Sequence, residues 1–219
     1  MEPVSLAEQR QFERLYELQD RVLELVFAQE NEFYLTGGTC ISRFYWPARY
    51  SDDLDFFTNQ SPRFAFAVRR IINALSQQFE LLREVEGREF VRLRVNNSLQ
   101  IDFVNEPTAR QDEPTLTPQR FFIDTIPNIL ANKLTAIMGR DNPKDIFDLL
   151  LIMQQSRIDW PQVLAAAHQK AVFSNEDLAA RLKSFPVASL NQIKFADSRY
   201  IDCLDPAAQL SQVIAAVLG

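Results

Sequence analysis

The 219-residue sequence predicts an α+β fold, a small mixed sheet with flanking helices followed by a helical C-terminal region. Three observations lead there. Helical spacing of apolar residues opens the chain, short β-type runs bounded by turn residues follow, and five consecutive helical patterns fill the second half. The simplest division is residues 1–115 as an α/β core and 116–219 as a helical domain. Glu106 to Pro118, rich in proline, threonine and charge, reads as the connection.

Each element has its own signal. Residues 5–30 place Leu15, Leu18, Val22, Leu25 and Val26 on one helical stripe. Phe33 to Thr36 reads as a short strand ending at Gly37-Gly38, and Thr39 to Tyr45 as a short helix stopped by Pro47. Asp53 to Thr58 is a second strand, and Ser61-Pro62 opens a helix to about Phe79. Leu81 to Glu86, Phe90 to Val95 and Leu99 to Val104 are further strands. Strand signals stop near residue 118, and helices are expected at 126–139, 143–155, 160–171, 174–184 and 206–218.

Composition narrows the function. Hydrophobic residues at 47% and charged residues at 24% suit a folded domain and exclude disorder as the main state. The longest aliphatic run, Leu149 to Met153, is far short of the roughly 20 residues that cross a bilayer, so no membrane association is expected. Met1-Glu2-Pro3 carries no signal-peptide pattern, which points to a cytoplasmic protein. Cys40, Cys203 and the single His168 build neither a disulfide framework nor a zinc or heme site, so any metal must be held by oxygen. A net charge of −6 argues against indiscriminate binding to nucleic acid, although the arginines of residues 63–94 form a locally basic stretch.

Three features carry chemistry. Gly37-Gly38-Thr39, between a strand and a helix in a chain of only 5 glycines, is either a tight turn or a backbone cradle for an anion such as a triphosphate. In Asp53-Leu54-Asp55, strand alternation puts both carboxylates on one face, where they repel unless a proton or a hard divalent cation intervenes. Asp52 falls on the opposite face or in the preceding turn. Asp102 follows from register: a three-residue loop Asn96-Asn97-Ser98 pairs Val95 with Leu99, Leu93 with Ile101 and Val91 with Phe103, leaving Arg92 opposite Asp102 on the polar face. Asp102 is therefore an exposed cross-strand salt bridge or a third metal-binding carboxylate.

Gly-Gly, then D-x-D, then a carboxylate on a later strand resembles the polymerase-β nucleotidyltransferase superfamily. More closely, Leu35 to Thr39 with Ser51 to Phe57 is similar to the first motif of the AbiEii/AbiGii toxin-type nucleotidyltransferases. Asn132-Lys133-Leu134-Thr135-Ala136 resembles that family's K-L-x-A motif, and Lys144-Asp145-Ile146-Phe147-Asp148 its R-D-x-x-D motif. Lysine at 144 keeps the family arginine's charge but not its bidentate geometry. The resemblance spans residues 33–155, and residues 160–219 carry no matching motif.

The resemblance implies a polymerase-β-like nucleotidyltransferase core and magnesium-dependent transfer of a nucleoside monophosphate from an NTP to an acceptor hydroxyl. Asp53 and Asp55 would bind metal, and Asp102 would complete the site for a second magnesium ion and help deprotonate the acceptor. Gly37, Gly38 and Thr39 would hold the triphosphate with Lys133, and Asp145 and Asp148 would belong to the nucleotide-binding set. An antitoxin partner and tRNA as acceptor follow from the same likeness. A small-molecule acceptor, of the antibiotic-modifying kind, and a non-catalytic relative are the alternatives.

The later motifs also have readings of their own. Lys133 and Arg140 share a helix face, two turns apart, to reach phosphates or solvent. With Asn142 as cap and Pro143 first in its helix, Asp145 is either a capping acid or functional. Asp148, in a helix apolar almost all round, needs a partner, and Lys133 is the expected one. His168, Cys40, Trp46 and Trp160 read as ordinary helix or packing residues.

Overall fold

The first helix starts on a capping box: the Ser5 hydroxyl accepts from the Glu8 N–H at 3.3 Å while the Glu8 carboxylate takes the Ser5 N–H at 2.9 Å. The computed structural model describes residues 4–200, 202 and 204–219; the Met1-Glu2-Pro3 start and Cys203 lie outside the described residues. Helix α1 (Leu6–Gln29) leads to β1 (Tyr34–Thr36), the single turn α2 (Gly37–Cys40), a π-helical turn (Ile41–Tyr45) and β2 (Asp53–Asn59). Then come α3 (Phe64–Leu75), β3 (Leu81–Glu86), β4 (Phe90–Val95), β5 (Leu99–Glu106), β6 (Thr115–Leu116) and β7 (Phe122–Ile123). Helices α4 (Ile126–Gly139), α5 (Pro143–Gln155), α6 (Trp160–Lys170), α7 (Asn175–Lys183) and α8 (Pro206–Leu218) complete the chain, with short 3-10 turns at Val187–Gln192 and Ser198–Tyr200.

Three boundaries differ from the sequence expectation. The helix expected from Thr39 starts two residues earlier and widens into a π turn, closed by Trp46 N–H donating to the Ile41 carbonyl at 2.8 Å. The Ser61-Pro62 pair makes a turn in which the Ser61 hydroxyl takes the Arg63 N–H, so α3 begins at Phe64 and ends at Leu75. Strands do not stop at residue 118: β7 pairs parallel with β1 through Leu35 and Ile123. A two-residue strand is too short to show alternation, and therefore leaves no periodic signal.

The sheet runs β3-β4-β5-β2-β1-β7-β6. Both β6 and β7 begin at or beyond the expected end of the α/β core, so the sheet draws on chain from each side of that division. The β4–β5 hairpin has the expected register, Val95 with Leu99, Leu93 with Ile101 and Arg92 with Asp102. Parallel pairing of β2 with β5 then sets Leu54 beside Ile101, Asp55 beside Asp102 and Phe56 beside Phe103.

That register makes one sheet face apolar and the other acidic. Leu54, Phe56, Leu99, Ile101 and Phe103 are fully buried with Val22, Leu23 and Val26 of α1 and Ala67, Val68 and Ile71 of α3. Phe56 stacks on Phe103 with ring centroids 5.3 Å apart, and Phe33 meets Phe103 edge-on at the same spacing. The opposite face, carrying Asp55, Phe57, Asp102 and Val104, looks across a cleft to α4. Helix α4 packs on α5, α6 and α7, and α7 on α8, so the helical region walls the cleft.

Candidate active site

The cleft, about 420 Å³, lies between the acidic face of β2 and β5 and the helices α4 and α5. Thr36, Gly37, Asp55, Phe57, Asp102 and Val104 line one wall; Ile129, Asn132, Lys133, Ala136, Arg140 and Asp145 line the other. The glycine pair is a steric necessity here. Gly37 has φ +71°, and a side chain on it would strike the Asp55 carboxylate. A side chain on Gly38 would strike the Arg49 guanidinium.

Asp53 and Asp55 emerge from the same face of β2, and Asp55 stands beside Asp102. Burial, followed by repulsion from Asp53 and Asp102, pushes the Asp55 carboxyl well above the usual carboxylate range. Asp53 is held from behind: the Thr39 hydroxyl donates to its backbone carbonyl at 2.6 Å and to its Oδ1 at 3.3 Å, with Ser51 Oγ at 3.4 Å. Thr39 is fully buried and stands behind the cleft with Gly38, so of the three turn residues Gly37 alone lines it.

Asp102 forms the cross-strand pair with Arg92 that the sequence allowed, but not at an exposed position. Arg92 grips it with two hydrogen bonds, at 2.8 and 2.6 Å, yet Asp102 is buried at the cleft floor, not an exposed cross-strand bridge. Among the described residues, no three acidic side chains converge as a ready metal cage. The donor chemistry nonetheless suits a hard cation: two carboxylates on one face, a third in register beside them, and more negative charge than neighbouring cations balance.

The facing wall carries a buried ion network. Asp148 is inaccessible to solvent, as the apolar surroundings of α5 required. Lys133 Nζ donates to its Oδ2 at 2.6 Å, the pairing anticipated from the sequence. Arg49 also occupies it, Nε to Oδ1 and NH2 to Oδ2, both at 2.7 Å. Burial alone would raise the Asp148 carboxyl, but Arg49 and Lys133 hold it down to about 2. Lys133 also reaches Asp145 at 2.8 Å, and Arg140 grips Asp145 at 2.7 and 3.1 Å. Asp145 is therefore no capping acid; Asn142 caps α5 through the Lys144 N–H. The Lys144 ammonium reaches Asp52 at 2.7 Å, an exposed pair that links the loop before β2 to α5.

Arg49 was not apparent in the sequence, although an aspartate buried in an apolar helix signals a need for cationic partners. A second unforeseen group is Asp124, fully buried, which accepts from Thr36 Oγ1 at 2.5 Å and from Asn128 at 2.8 and 2.9 Å. Burial raises its carboxyl to about 6. The basic stretch 63–94 is largely neutralised: Arg63 and Arg70 pair with Glu30, Arg83 with Glu86, Arg88 with Glu89 and Arg94 with Glu84. Cys40 is buried with its thiol pushed up by burial, His168 bonds Asn175, and Trp46 and Trp160 pack on the core.

The sequence profile of the nucleotidyl transferase AbiEii toxin, type IV toxin–antitoxin system, matches residues 21–209. The chain belongs to the AbiEii family. Membership makes it a nucleotidyltransferase acting on a nucleoside triphosphate, and a toxin whose system includes an antitoxin. An uncharacterized protein of Aquifex aeolicus is 28% identical over 158 residues, 70% of this chain and 72% of its own. MenT4, the nucleotidyltransferase toxin Rv2826c of Mycobacterium tuberculosis, has the same fold at TM-score 0.64 and 18% identity, covering 93% of this chain and 82% of its own. JHP933 of Helicobacter pylori superposes at TM-score 0.57 and 17% identity, over 95% and 90% of the two chains. The α+β nucleotidyltransferase fold of this AbiEii protein is thus shared with solved structures of low sequence identity, and among the described residues no helix is long and apolar enough to cross a membrane.

Two outcomes follow for stability. Asp148→Asn leaves Arg49 buried without its counter-charge and Lys133 with Asp145 alone, so the substitution should cost about 3–5 kcal/mol by urea unfolding. Folding raises Asp124 from the ordinary 3.8 to about 6, so it binds a proton between those values. Its contribution to stability is complete below about pH 4 and falls as pH rises through about 6. Asp124→Asn should flatten this part of the urea-midpoint against pH curve; an unchanged slope would rule the assignment out.

Proposed function

We propose that this AbiEii protein transfers a nucleoside monophosphate to an acceptor hydroxyl with magnesium held by Asp53, Asp55 and Asp102. The observation that carries the reading is the opposition of two walls. The β2–β5 wall has too few cations for its carboxylates, whereas the network around α4 and α5, joined by Arg49 from the loop before β2, sets three cations, Arg49, Lys133 and Arg140, against two carboxylates, Asp145 and Asp148. A magnesium-bound triphosphate supplies what each wall lacks.

Lys133 and Arg140 would face the triphosphate, and Gly37 leaves room for it to approach the backbone next to Asp55. The acceptor hydroxyl gives its proton to Asp102 and attacks the α-phosphorus, the bond to the oxygen bridging to the β-phosphorus breaks, and pyrophosphate leaves toward the basic wall. Fixed cations there stabilise charge gathering on the leaving group without reorganising during the reaction. Bound magnesium would stabilise the entering and leaving oxygens. Phe57, Val104, Ile129 and Ala136 offer apolar surface for the nucleoside.

For the acceptor we propose an RNA end, with tRNA the first to test, on the strength of family membership. A small-molecule acceptor is the second reading, favoured by the ion-paired state of the arginines in residues 63–94. Each labelled nucleoside triphosphate, incubated with magnesium and either total tRNA or aminoglycosides, separates the two. The Asp53→Ala/Asp55→Ala variant should lose transfer at least about 100-fold. It should melt no lower than wild type, because it removes two mutually repelling acids. Retained transfer would contradict the assignment of these carboxylates.

A further inference from the structure

The geometry points to Arg49 as a positioning residue that fixes both the Gly37-Gly38 turn and the direction of Lys133. Arg49 is 3% exposed and is absent from the cleft lining, so it touches neither nucleotide nor acceptor. Its guanidinium is nevertheless wedged between two parts that border the cleft. On one side lies Gly38, where a Cβ would collide with the NH2 group. On the other is Asp148, bridged through both oxygens.

The bidentate bridge decides how Asp148 is oriented. With Nε on Oδ1 and NH2 on Oδ2, the plane of the carboxylate is locked, and Lys133 takes the remaining side of Oδ2. Lys133 Nζ is thereby held between Asp148 and Asp145 at the cleft wall. Without that bridge, the oxygen that Lys133 meets is no longer held in one orientation. Arg49 is itself well anchored. Its NH1 donates to the Tyr50 carbonyl at 3.0 Å, and residues 48–50 pair with the chain near Phe195 through Tyr50 N to Lys194 O at 2.9 Å and Ala196 N to Ala48 O at 3.0 Å. Residues 194–196, far along the chain, thus brace the residue that braces the lysine.

This inference rests on the reading that Lys133 and the glycine turn meet the triphosphate. Arg49→Ala strands a buried carboxylate and is expected to unfold the chain, so the informative variant is Arg49→Lys, which keeps the charge but cannot bridge two oxygens. Calorimetric titration with the ribonucleoside triphosphate that wild type binds most tightly, in magnesium, is the measurement, with melting temperatures alongside. Arg49→Lys should bind roughly tenfold more weakly while remaining folded. Gly38→Ala, which pushes on the guanidinium, should weaken binding in wild type but add less than about twofold in the Arg49→Lys background. Wild-type affinity in Arg49→Lys, or losses that simply multiply in the double variant, would overturn the role of Arg49. Should Arg49→Lys not fold, Gly38→Ala alone decides, and unchanged binding overturns the inference. Wild-type affinity in Lys133→Met would instead remove the lysine from the triphosphate site, a failure distinguishable from one confined to Arg49.

Discussion

Asp148, a carboxylate sealed from water, ties together three pieces of chain that lie far apart in sequence. It receives Arg49 from the loop before β2 and Lys133 from α4, and it sits on α5 itself. A charge so placed is tolerable only with both cations in contact. The loop behind the glycine turn, the helix carrying the lysine and the helix carrying the acids are consequently held in one arrangement. The cleft is the space left between this assembly and the sheet.

The sheet contributes its own constraint. Parallel pairing of β2 with β5 fixes Asp55 beside Asp102, and alternation along β2 puts Asp53 on the same face. Arg92 is bonded to Asp102, and Lys133 and Arg140 across the cleft only partly offset the crowding at Asp55. Stability is sacrificed locally, as functional sites commonly require. Opposite walls of contrary charge, one short of cations and the other supplied with them, suit a metal-bound triphosphate better than either component alone.

The sequence made the fold's long elements legible because each carries many periodic residues. The register of the β4–β5 hairpin followed from matching apolar faces, and that of Asp53 with Asp55 from strand alternation. The Lys133–Asp148 pair followed from the cost of burying a charge in an apolar helix. Arg49 escaped because its partner lies 99 positions away, and such a contact leaves no local pattern. Strands β6 and β7 escaped because two residues cannot display a period. The arginine-rich segment looked like a basic surface because linear order does not reveal that Glu30, from α1's end, pairs with Arg63 and Arg70.

The central claim is that the acidic wall collects a divalent cation through Asp53, Asp55 and Asp102. Manganese, whose unpaired electrons report bound and free ion separately, tests it most directly by titration in the presence of triphosphate under electron paramagnetic resonance. The account predicts saturable binding to wild type that Asp55→Asn abolishes, with Asp52→Asn, one residue outside the set, binding as wild type does. Equal manganese affinity in wild type and Asp55→Asn would contradict it.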